Sequence, residues 1–211
     1  MVGTRRKQAF KIATEELVTS LGGIKRPVEI TDIALRTLYR DGDYEGMVKN
    51  IRDHMKLRVR ILLRISHDEN EGMRGAPAWI CFPKSMPSYG TSEYDRLVVT
   101  IFVRRSFLQR STFEAVVVII AHELSHIVLE AIGHRLRKYE KAVDLTAMIL
   151  GYRLFYLVGS TYTPRPTDFW EKIVMYYNVR LFGHRPYRKL GYLSEIEIKY
   201  VCSLLTKKAA P

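Results

Sequence analysis

"EAVVVIIAHELSHIVLEAIGH", Glu114 to His134, is the stretch on which the reading of this chain turns. Ala115 to Ala121 are all apolar, and Ile127, Val128 and Leu129 follow His126. Such a run predicts a helix packed on nearly every side. Ser111 or Thr112 would cap it, with Glu114 three after Ser111 as a capping box, and Gly133 would end it. Inside such a helix His122, Glu123 and His126 are out of place. An unpartnered polar group in an apolar interior costs roughly 2–7 kcal/mol, so three of them call for a common explanation.

Helical spacing supplies one. Residues four apart share a face, so His122 and His126 present two imidazoles to one point. Glu123 is displaced by about 100 degrees and reaches a water beside that point rather than the point itself. Zinc favours imidazole nitrogen, and a catalytic zinc takes three protein ligands and leaves one position for water. The ion acidifies that water and polarises a carbonyl, while Glu123 takes the proton and passes it to the leaving nitrogen. The pattern has the form of zinc-dependent hydrolysis of a peptide bond.

A third ligand has to come from elsewhere, and Glu140, Asp144 and His134 are the candidates. Glu140 and Asp144 lie four apart in a second long helix, expected from Leu136 or Arg137 to Val158 and ending at Gly159. Both can face the first helix. With Glu140 as ligand, Asp144 is left to hold the distal ring nitrogen of a ligating histidine. His134, eight after His126, would serve if the chain reversed sharply after Gly133.

At this point the chain meets a known family. His122-Glu123-x-x-His126 followed by Glu140-x-x-x-Asp144, with the small Ala147 three further on, resembles the gluzincin metallopeptidases. It looks closest to their compact HtpX-like members, the minigluzincins. The resemblance implies that His122, His126 and Glu140 bind zinc, that Glu123 is the general base, and that Asp144 supports a histidine. It also implies a zincin-like fold with a small sheet ahead of the motif helix, whose edge strand binds substrate backbone. The strand Arg96 to Arg104 stands where that edge strand belongs. The match spans roughly Tyr44 to Gly159. The fourteen residues from His126 to Glu140 are fewer than in many relatives, which keeps His134 and Asp144 open as the third ligand. Such sites also carry an oxyanion donor. By chemistry, Tyr152, Arg153, Tyr156, Tyr162 and His184 qualify.

Ahead of the motif the period changes. In "KLRVRILLRIS", Lys56 to Ser66, Leu57, Val59, Ile61, Leu63 and Ile65 alternate with Arg58, Arg60 and Arg64, which predicts a strand with a basic, wet face. "PAWICF" and "RLVVTIFVR" predict two more strands, with a loop between them. Short helices are expected over Lys7 to Ser20, over "IALRTLYR" after Thr31 or Asp32, and from Tyr44 to Met55 after the Asp41-Gly42-Asp43 turn. Thr167 or Asp168 would cap a helix to about Tyr177, and Ser194 a final one with Glu197 completing a capping box. The expected class is therefore α+β: a three-stranded sheet on the motif helix and a second long helix, with additional terminal helices. Residues 1–30 form a basic N-terminal extension, 31–160 the core, and 161–211 a helical C-terminal extension packed on it.

The 211 residues, 47% hydrophobic, are ample for one continuous core. A net charge of +12, spread along the chain, permits attraction to nucleic acid. No zinc-finger cysteine set, glycine-rich phosphate loop or helix-turn-helix signature accompanies it. A nucleic-acid-associated basic protein with a structural or vestigial zinc site stands as one alternative. A latent peptidase covered by its own C-terminal tail is another. The expected partner is a peptide or protein substrate. Cys81 and Cys202 indicate no disulfide framework, and the N-terminus lacks the apolar core of a secretory signal, so a cytoplasmic location is the default. No transmembrane segment is expected: Asp144 and Arg153 interrupt the apolar run Ala142 to Gly159, which reads as a core helix.

Overall fold

A computed structural model describes residues 4–67, 71–72, 75–166, 172–173 and 188–209. Its centre is α6 (Phe113–Ala131), capped by Thr112, whose hydroxyl accepts the Ala115 amide at 3.3 Å. Ser111 is not the cap, and Glu114 pairs instead with Arg36 at 3.0 Å, tying α6 to α2 (Ile33–Arg40). The apolar residues of α6 are buried along its whole length. Each buried Val, Ile or Leu contributes about 1.5–3 kcal/mol, so apolar packing by itself holds the helix axis in place. Ser125 returns its hydroxyl to the Ala121 carbonyl at 2.7 Å. That leaves His122, Glu123 and His126 to be satisfied from outside the helix.

Three strands precede α6: β1 (Arg60–Ser66), β2 (Ala78–Cys81) and β3 (Val98–Arg104). Their spatial order is β1-β3-β2, with β1 parallel and β2 antiparallel to β3. The strand expected at the edge is therefore the central one. Val99, Ile101 and Val103 are buried, and the most β-branched strand gains most from a neighbour on each side. The edge nearest the motif helix is β2, which packs on α6. Arg60 and Arg64 of β1 are exposed, as the alternation predicts, but Leu62 is exposed beside them. The segment between β2 and β3 is not all loop. It contains α4 (Ser92–Arg96), capped by Thr91, which buries Tyr94 completely. A further short helix, α5 (Arg105–Arg110), links β3 to α6.

After α6 the chain turns through residues 132–139 and starts α7 (Glu140–Ala147), a few residues later than expected. One wide π-type turn, Met148–Tyr152, separates α7 from α8 (Arg153–Gly159). Gly151 has φ 113, and a Cβ there would lie 2.7 Å from the Arg26 carbonyl. The Lys25 and Val28 amides donate to the Ile149 and Gly151 carbonyls at 3.0 and 2.9 Å, so a crossing segment uses what the break frees. Glu140–Gly159 is long and apolar enough to cross a membrane, by length and composition alone, yet 83% of its most apolar window is buried within the protein.

Asp32 and Asp43 cap α2 and α3 (Tyr44–His54) as read from sequence. The terminal helices α1 (Thr4–Ser20) and α9 (Glu195–Ala209) pack on α7 and α8 respectively, and on each other. Ser194 and Glu197 form the expected reciprocal box at the start of α9. A two-stranded ribbon, β4 (Thr161–Tyr162) with β5 (Arg188–Lys189), leads into it. The helix expected from Thr167 or Asp168 to Tyr177 falls largely outside the described residues.

Candidate metal centre

α6 and α7 meet so that the middle of one faces the first turn of the other. His122 Nε2 lies 3.3 Å and His126 Nε2 3.4 Å from the same oxygen, Glu140 Oε2. One donor atom from each of these three residues falls within 4.8 Å of the others. The two imidazoles stand edge to face, 4.9 Å between centroids at 84°, and both Nε2 atoms face Glu140 Oε2. This is a zincin-like triad on two long helices. Two imidazole nitrogens and one carboxylate oxygen are a donor set that fits zinc, with the remaining side toward an open cleft.

Asp144 anchors the arrangement. Its Oδ1 sits 2.8 Å from His122 Nδ1 and accepts the Tyr156 hydroxyl at 2.9 Å. Its Oδ2 accepts the backbone amides of Tyr192 and Leu193 at 2.6 and 3.0 Å. With Nδ1 so engaged, the ring presents Nε2 to the metal point in a fixed orientation. Asp144 is fully buried, and its interactions leave neither oxygen unsatisfied.

The electrostatics point the same way. Burial works against charge on His122, but the hydrogen bonds of Asp144 and Glu140 raise its pKa above that of a free imidazole. Glu140 is held below the usual carboxylate range by the hydrogen bonds from His122 and His126. A cluster that binds a proton this firmly is one that a cation can occupy instead, with the imidazoles neutral. Glu123 is buried beside it, and that burial pushes its carboxyl up despite the two histidines.

The cleft measures ≈ 540 Å³ and places His122, Glu123, His126 and Glu140 against the edge strand β2. Trp79, Ile80 and Phe82 line one wall, and Lys189 to Tyr192 the other.

Most of the residues eligible as oxyanion donor lie elsewhere. Tyr152 is buried against the His54 ring, 5.5 Å between centroids. Arg153 donates to the Lys25 carbonyl. Tyr162 packs edge-on against Phe107. Tyr156 reaches the site only through Asp144, behind the metal point. His184 is outside the described residues. His134 is not brought to the triad either. Its Nδ1 accepts the Leu136 amide at 3.1 Å, and its Nε2 faces Glu16 of α1 at 3.5 Å. A turn that bonds to its own imidazole has no reason to reverse toward His126.

Sequence reasoning missed Gly191, Tyr192 and Leu193. Tyr192 lays its ring along His122, 5.8 Å between centroids and 24° between planes. It is the one tyrosine lining the cleft among the described residues. The stretch "KLGYLS" announces a turn before a capped helix, and nothing in it says that the turn ends on Asp144.

Compared with known proteins, the chain matches no protein-family model, no curated protein and no solved structure.

Proposed function

We propose that the protein is a zinc-dependent peptidase of the gluzincin type, acting on a peptide or protein substrate. One observation carries this reading: three donor atoms from two helices converge, with a buried carboxylate beside them, in a cleft bordered by an edge strand. A structural zinc site would have no use for Glu123 and would be closed rather than open.

A zinc ion held by His122, His126 and Glu140 supplies a Lewis acid for a peptide carbonyl and lowers the pKa of a water. The chain does the rest. Asp144 keeps His122 in one tautomer and rotamer. Glu123, one position from His122 on α6, takes the proton of the attacking water and delivers it to the leaving amine. Tyr192, half-exposed on the cleft wall, is the donor for the developing oxyanion. The substrate backbone lies extended along β2, whose outer edge has no strand partner among the described residues.

The test is a peptide-library cleavage assay on the wild type beside Glu123→Gln, with metal content measured in both. The reading predicts that both hold about one zinc per chain and that Glu123→Gln cleaves about 10³-fold more slowly than the wild type. A wild type that binds zinc yet cleaves no peptide overturns it.

A further inference from the structure

Asp144 takes two of its hydrogen bonds from a segment 48 and 49 residues away, and that segment is held by a small set of interactions of its own. Gly191 has φ +71, and a Cβ there would lie 2.9 and 3.0 Å from the two Asp144 oxygens. Only glycine lets the backbone come close enough for the next two amides to reach one carboxylate oxygen. Ser194 then starts α9 with the reciprocal box: its amide donates to Glu197 Oε2 at 2.7 Å, and its hydroxyl accepts the Glu197 amide at 3.4 Å. Glu197 is 1% exposed and also binds Lys141 of α7 at 2.9 Å and Arg6 of α1 at 2.6 Å. The carboxylate that fixes the turn is thus tied to the helix that carries Glu140 and Asp144.

We infer that residues 190–194 are a positioning element of the metal centre, and that zinc binding and docking of α9 are coupled. The inference rests on the peptidase reading for the identity of the ion. Asp144 is buried, so its charge is tolerated only while its acceptor sites are filled. Without the Tyr192 and Leu193 amides it would keep His122 and Tyr156 as its hydrogen-bond partners, and its hold on the His122 ring would loosen. Coupling is reciprocal: whatever docked α9 adds to zinc affinity, zinc adds to the docking of α9. On this view the C-terminal segment is a part of the site that must be in place. It is not a cover that must leave.

The experiment measures zinc affinity by competition with a chromophoric chelator, for wild type, Gly191→Ala and Glu197→Gln. It adds amide hydrogen exchange of the wild type with and without zinc. Gly191→Ala should bind zinc roughly 10-fold more weakly, the low end of the range for removing an outer partner of a ligating histidine, because Asp144 stays but is less firmly held. Glu197→Gln, which keeps the shape of the box, should lose less. Zinc should slow exchange of the Tyr192 and Leu193 amides more than it slows those of α2, which is remote from the site. Wild-type affinity in a folded Gly191→Ala overturns the inference and leaves the peptidase reading intact. If that variant does not fold, equal exchange at Tyr192 and Leu193 with and without zinc overturns it instead. A wild type that binds no zinc overturns both.

Discussion

Two histidines of the same stretch, His122 in its middle and His134 at its end, are both buried and both face a carboxylate, yet only His122 joins the triad. At His122 the distal nitrogen is given to Asp144, and the free nitrogen meets His126 and Glu140 at one point. At His134 one nitrogen closes the local turn and the other faces Glu16, which Arg135 already pairs with. The contrast teaches that burial and a neighbouring acid do not make a site. Convergence does, and it requires a second element that brings its own donor to the same point.

The largest break in this comparison is chemical. Removing the base with Glu123→Gln should lower peptide cleavage by about 10³-fold, within the range of general-base catalysis, while zinc content stays that of the wild type. Steady-state kinetics beside metal analysis reads both. Tyr192→Phe keeps the ring against His122 and removes only the hydroxyl. It should lower kcat by about 10²-fold, with KM and zinc affinity little changed, as expected when an oxyanion donor is lost. A fall in zinc affinity instead would assign Tyr192 to packing alone.

A smaller effect concerns α9. Burial resists the charge on Glu197, but the Ser194 amide, Lys141 and the Ser194 hydroxyl outweigh it and lower its pKa. A carboxyl lowered on folding adds stability above its unfolded pKa and loses it as pH falls through the folded one. Acid unfolding followed by circular dichroism should therefore be less steep below about pH 4.3 in Glu197→Gln than in the wild type. The smallest effect belongs to His134→Ala. It removes one turn-closing hydrogen bond and should cost about 1 kcal/mol in chemical denaturation, with no change in cleavage.

Much of this is legible in the sequence alone. Although Arg36 takes Glu114 away from a box with Ser111, the caps at Thr31 or Asp32, at Asp43 and at Ser111 or Thr112, and the box at Ser194, follow from local rules. So do the pairing of His122 with His126 and the facing of Glu140 and Asp144, because four-residue spacing on a helix is nearly rigid. What escaped is what depends on contacts between distant segments. β2 and β3 are both short and apolar, and the richer β-branching of β3 favours the centre only once both neighbours are known. The π-type turn at Met148–Tyr152 frees carbonyls that residues 25–28, distant in the chain, take up. The Tyr192 and Leu193 amides that hold Asp144 are backbone groups, which every residue except proline carries. Sequence marks only the glycine that lets them in.

We propose that His122, His126 and Glu140, and not His134, hold the metal. Zinc analysis of purified wild type, Glu140→Ala and His134→Ala, side by side, tests it most directly. About one zinc per chain is expected in the wild type and in His134→Ala, with most of the metal lost from Glu140→Ala. Full zinc in Glu140→Ala with loss from His134→Ala would contradict it.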